Sequence, residues 1–123
     1  MATSLGPQLS AAIAAQDATA IARCFAADVE FRGLTPRGLR ERSGAEETAS
    51  LVAAWFAYST ELELVHSASD EIGDKLHLSY RFQGVEEGEP FIVEQSLYCL
   101  VEGDRITRAD LLCSGFRPRA RSL

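Results

Sequence analysis

Apolar and polar residues alternate through the second half of the chain, residues 61–116, in four segments separated by short turn signals. Leu62, Leu64, His66 and Ala68 share one side of the first segment, and Leu76, Leu78, Tyr80 and Phe82 share one side of the second. The third segment, 91–101, and the fourth, 105–116, are apolar on both sides, as strands covered on two faces are. Four such segments in succession predict an antiparallel meander whose apolar face needs a cover.

The first half of the chain supplies that cover in a different rhythm. Leu5, Leu9 and Ile13 recur every four residues, one stripe of a helix with Thr3 or Ser4 as its cap. Asp17 caps a second helix over 18–26, with Ile21 and Phe25 on its buried edge, so Gln16-Asp17 is a tight corner. Residues 28–31 read as a short strand ended by Gly33. Residues 35–42, with Pro36, Gly38, Arg37, Arg40 and Arg42, read as a loop. Ser43 followed by Glu46 three residues on is a capping box, and Glu47 adds charge favourable to a helix N-terminus. The third helix runs to about Tyr58, with Leu51, Trp55 and Tyr58 on one side and Val52 and Phe56 widening the stripe. The helices cover one face of the meander. A second copy of the chain is the expected cover for the other, because a domain this small has no further layer to offer.

Composition narrows the classes. At 123 residues the chain is one domain, long enough to bury a core without disulfide or metal staples. A formal net charge of −6 argues against nucleic-acid binding, which needs a basic stripe to neutralise phosphates. The basic cluster Arg117, Arg119 and Arg121 surrounds Pro118 and reads as a flexible, solvated tail from about residue 117. Cys24, Cys99 and Cys113 all sit among apolar neighbours. They are expected as buried, reduced thiols of a cytoplasmic protein. The start of the chain lacks the pattern of a signal peptide, and no apolar run approaches the roughly 20 residues of a membrane span, so no membrane partner is expected. The spacing of histidines, cysteines and carboxylates matches no metal set, glycines form no phosphate-cradling run, and no Gly-x-Ser-x-Gly elbow is present.

The run from Asp17 to Phe31, the Ser43-Gly-Ala-Glu46 helix start and the stretch from Glu102 through Ile106 to Arg108 resemble the nuclear transport factor 2-like superfamily, and more closely its small bacterial SnoaL-like members. The resemblance covers about residues 5–116. It implies an α+β cone, with three N-terminal helices packed on a strongly curved antiparallel sheet, a pocket inside and often a dimer on the back of the sheet. Members include isomerases, cyclases, dehydratases, epoxide hydrolases and non-catalytic binding domains, so fold alone does not give function. The catalytic sets of three branches are missing. The ketosteroid isomerase tyrosine, base and acid positions fall near Leu9, near Gly33 and near Ser96 or Leu97. The polyketide cyclase acid position is Cys113. The epoxide hydrolase positions fall near Tyr80, Phe82 and Leu111.

Strand pairing suggests a different site, because directly opposed residues share a face. If His66 lies opposite Tyr80, Tyr80 beside Val93 or Gln95, and Gln95 opposite Leu111, a row His66–Tyr80–Gln95–Leu111 crosses the apolar face. Its wall is Leu64, Leu78, Phe82, Val93, Leu97 and Cys113, with Trp55 and Tyr58 closing the cone. Each of these residues also has a plainer role. His66 and Tyr80 are hydrogen-bonded core residues, Gln95 a partner for backbone groups, and Cys113, Trp55 and Tyr58 packing. His77, Ser79, Arg81, Glu94, Tyr98, Arg108 and Asp110 fall on the opposite face as the polar part of a dimer interface. Three functions stay open. In the first, a cofactor-free isomerase, cyclase or dehydratase acts on an apolar carbonyl compound. His66 moves the proton, Tyr80 stabilises the oxyanion and Gln95 orients the substrate. The second is a binding protein without turnover, and the third a protein-interaction dimer with a filled cone.

Overall fold

A computed structural model describes residues 4–119. In these residues three helices and seven strands follow the order α1 (Leu5–Ala14), α2 (Ala18–Ala22), β1 (Phe25–Thr35), β2 (Gly38–Ser43), α3 (Ala45–Trp55), β3 (Ser59–Ile72), β4 (Lys75–Glu86), β5 (Glu89–Glu102), β6 (Arg105–Cys113) and β7 (Arg117–Pro118). The strands form one curved, open sheet in the order β2-β1-β6-β5-β4-β3, with β7 pairing β5. The α+β class and the meander β3–β6 stand. Two expectations are corrected. The helices do not all precede the sheet, because a β-hairpin separates α2 from α3. The sheet is mixed rather than wholly antiparallel, because β1 runs parallel to β6.

The α1 stripe does what its spacing predicts: Leu5, Leu9 and Ile13 are buried. Gly6 brings α1 close to the sheet, where a side chain at this position would stand 3.1 Å from Ser69 and 3.2 Å from Leu78. Gln16 turns the corner in the left-handed region at φ 54°. Its amide donates to the Phe56 carbonyl at 2.7 Å, tying the corner to the end of α3. Asp17 caps α2 by accepting from the Ala20 N–H at 3.1 Å, but α2 ends at Ala22 and Phe25 opens β1.

β1 does not stop at Gly33. It continues to Thr35, and the expected loop 35–42 is instead a tight turn and the strand β2. The strand continues because Leu34 pairs with Leu39 on one side and with Leu112 on the other. α3 is capped differently as well. Gly44 is the N-cap, with no side-chain cap, and Ser43 donates its hydroxyl to Glu30 at 2.8 Å. The capping box is lost because Ser43 is the last residue of β2, and only glycine readily takes the φ of 93° needed at the next position.

Side chains on the inner face of the sheet form rows across the strands. Leu78 opposes Leu97, Leu97 opposes Leu111, Leu111 sits beside Gly33, and Gly33 opposes Arg40. The next row is Tyr80, Gln95 and Cys113. An aromatic chain packs over it: Tyr80 on Phe82, Phe82 on Phe56, Phe56 on Phe116 and Phe116 on Phe91, with ring centroids 4.9–5.5 Å apart. All three cysteines are buried and unbridged. No helix among the described residues is long and apolar enough to cross a membrane.

Candidate functional site

The inner face opens at the β1–β2 end of the sheet into a cleft of about 510 Å³. Thr35, Pro36, Arg37 and Arg40 of the hairpin line one side. Trp55 of α3 and Glu86 of β4 also contribute, and Cys113, Gly115, Phe116 and Arg117 complete the lining. The pairing of the strands explains this gathering. Parallel pairing of β1 with β6 sets the hairpin beside the end of β6. The chain then leaves β6 for three residues and resumes pairing with β5 through Arg117 and Pro118.

Two glycines give the cleft its shape. At Gly33 a side chain would stand 3.1 Å from both the Phe31 and Trp55 rings, so its absence lets Trp55 lie across the inner face. At Gly115 the backbone is left-handed, with φ 84°, and a side chain would stand 2.7 Å from Pro36. Gly115 thereby brings the segment after β6 against the hairpin turn. Ser114 pins this detour, its N–H donating to the Glu94 carbonyl and its hydroxyl accepting from the Glu94 N–H, each at 2.9 Å. Arg117 is no frayed start of a tail. It pairs with Ile92, and Arg119 donates to the Gln83 side chain at 2.8 Å. Arg121 lies outside the described residues.

At the floor, Cys113 joins the cleft to a buried polar line. The Tyr80 hydroxyl donates to the Gln95 side-chain oxygen at 2.7 Å, and the Gln95 amide reaches the Cys113 sulfur at 3.6 Å. The Gly115 N–H donates to the same sulfur at 3.4 Å. Tyr80 and Gln95 are fully enclosed. Burial, reinforced by negative charge on Cys113, Cys99 and Cys24 when they ionise, pushes the Tyr80 phenol well above its ordinary range. Its proton is committed to Gln95, so Tyr80 has none to offer a ligand.

The row His66–Tyr80–Gln95–Leu111 does not form. A bulge between Leu64 and His66 is the reason. Leu64 does oppose Phe82, but the two-residue turn at Gly73-Asp74 fixes Ile72 against Lys75. These two registers differ by one residue. His66 consequently pairs with Arg81 and is exposed, and Ser67 takes the place opposite Tyr80. Gln95 opposes Cys113 rather than Leu111, and Cys99 opposes Ala109 rather than Thr107, because the turn at Gly103-Asp104 sets Glu102 against Arg105, one residue out of the expected register, and a bulge at Leu100–Val101 adds a second residue. Tyr58 is 79% exposed and closes nothing, since α3 ends at Trp55. Phe82, Leu97 and Leu111 are buried in the inner wall below the cleft. Of the predicted residues, Trp55 and Cys113 line the cleft itself.

Sequence reasoning missed Arg37, Arg40, Arg117 and Phe116 as lining residues. Both arginine groups were visible, one in the presumed loop and one in the presumed tail, but nothing local says that β1 pairs with β6.

No family model matches the sequence, and no curated protein is significantly similar to it. Solved structures do match. One is a protein with a ketosteroid isomerase-like fold from Catenulispora acidiphila, solved in complex with trimethylamine. It is 19% identical with a TM-score of 0.74, covering 90% of this chain and 85% of that one. Another, from Xanthomonas campestris, is provisionally assigned as a polyketide cyclase. It is 20% identical with a TM-score of 0.72, covering 90% and 88%. A third is an NTF2-like protein from Burkholderia thailandensis, 16% identical with a TM-score of 0.70, covering 91% and 89%. With its helices on the inner face of a curved mixed sheet and these structural neighbours, the chain has the nuclear transport factor 2-like fold.

Proposed function

We propose that the protein binds a small, largely apolar molecule in the cleft between the β1–β2 hairpin and the segment after β6, and that it does so without turning it over. The observation that carries this reading is the cleft itself. It has the volume of a small-molecule site, aromatic walls in Trp55 and Phe116, and a polar floor at Cys113. The trimethylamine held by the Catenulispora protein is consistent with a fold that takes small ligands. Acid–base turnover is the weaker reading. His66 is outside, Tyr80 is enclosed with its proton engaged, and the carboxylate in the lining is Glu86 at the rim. The test is amide chemical-shift mapping against a panel of apolar metabolites, with mass spectrometry of each bound compound afterwards. The expected result is shifts confined to residues 35–40, 55 and 113–117 with the ligand recovered unchanged. Shifts on the other face of the sheet, or a converted ligand, would overturn it.

A homodimer through the back of the sheet is supported by a separate observation. Leu39, Leu34 and Leu112 lie side by side on that face and are 44%, 49% and 58% exposed. The charges around them balance as the pairs Arg32–Glu41, Arg81–Glu94 and Arg108–Asp110, although the chain as a whole is acidic. A partly apolar face whose arginines are paired with carboxylates suits a second copy of itself.

A further inference from the structure

We infer that the ligand of this cleft carries a carboxylate or an equivalent small anionic group, held by Arg40 with Arg37 and Arg117. The inference rests on the binding reading above and specifies its ligand. Three guanidinium groups against the single carboxylate of Glu86 leave the cleft positive in a protein whose net charge is −6. Among the described residues none of the three arginines has a carboxylate within 4.0 Å, whereas Arg32, Arg81, Arg105 and Arg108 each do. Arg40 is the best placed. It opposes Gly33 and so projects from the edge strand onto the inner face, the face that Trp55 covers, and it is half-buried. Arg40 donates to the carbonyl of its own neighbour Leu39 at 3.3 Å, which leaves most of its five donors for a ligand. At the end of an otherwise apolar row, Arg40 is a half-buried cation without a carboxylate partner among the described residues, and an anion in the cleft would supply one. Arg37 and Arg117 stand at the exposed rim, where they draw the anion in and add to its hold. Trp55 and Phe116 supply flat apolar walls for the body of the molecule. The chemical class is therefore a monoanionic acid with an aromatic or compact apolar body.

The probes are arylalkanoic acids of increasing length, from benzoate to 4-phenylbutyrate, each paired with its neutral amide. Binding is read by titration calorimetry and by the emission of Trp55, the only tryptophan in the chain. At low salt the best acid should bind at least about tenfold more tightly than its amide, the size expected of a charge-assisted bidentate contact. Arg40→Gln should remove most of that preference, read as the ratio of acid to amide affinity in the same variant, and Arg37→Gln and Arg117→Gln should each reduce it about two- to fivefold and weaken its salt dependence. Arg81→Gln, on the opposite face, should change nothing. Acids and amides that bind equally, or an acid preference indifferent to Arg40→Gln in a variant of native circular dichroism, would overturn the anionic ligand and leave the binding cleft intact. Failure of every acid and every amide would overturn both.

Discussion

Single residues set the chemistry. Cys24 and Cys99 are completely enclosed, and burial pushes their thiols up to about 11 and about 12, with Arg105 lowering the first and Asp110 raising the second further. Cys113 lines the cleft. A thiol reagent applied to the native protein at pH 8 should therefore modify Cys113 first, with Cys24 and Cys99 reacting only in denaturant, as peptide mapping would show. The same two thiols set an alkaline limit. The folded state keeps their protons above pH 9, where the unfolded chain releases them, so their contribution to stability is intact below about pH 9 and declines toward pH 11–12. Urea titrations should show a loss of about 1 kcal/mol per thiol per pH unit in that window, reduced by Cys99→Ala relative to its own stability at pH 8. Tyr80 acts in the same direction from about pH 10 upward. Tyr80→Phe should cost about 1–3 kcal/mol, because it strands the Gln95 oxygen in the core. His66→Ala should leave both stability and ligand response nearly unchanged, since the side chain faces solvent.

The elements were legible wherever a local period was uninterrupted. The α1 stripe, the Asp17 cap and the alternation of β4 could all be read directly. Legibility failed where one residue was added or a partner lay far away in sequence. Period-two alternation places residues on faces, but it does not reveal a bulge, and the bulge after Leu64 was enough to turn His66 outward. The Ser43 pattern looked like a capping box because sequence alone cannot show that Ser43 is occupied as the end of β2. This difference is measurable: Asp17→Ala should cost about 1 kcal/mol through the lost cap, and Ser43→Ala less than about 0.5 kcal/mol, because its hydrogen bond to Glu30 is exposed. At Gly115, alanine meets both a left-handed backbone and Pro36, so Gly115→Ala should destabilise by about 1–3 kcal/mol and disturb the cleft more than the rest of the sheet.

For the whole molecule, the general fold could be read from the order of patterns, but not the site. The site depends on β1 joining the sheet parallel to β6, a contact between residues nearly eighty positions apart that carries no local signature. The same pairing brings Leu34 beside Leu112 on the back of the sheet. Replacing both with lysine should convert the proposed dimer to a monomer in light scattering and leave ligand binding in place. The far wall of the cleft is the segment from Cys113 through β7, which is the last part of the fold to leave the ribosome. All six longer strands are complete by Cys113, so the pairing of β1 to β6 does not need the segment that carries Phe116 and Arg117. A ligand thus finds both walls of its cleft only once this segment is in place, and it stabilises the completed fold by mass action.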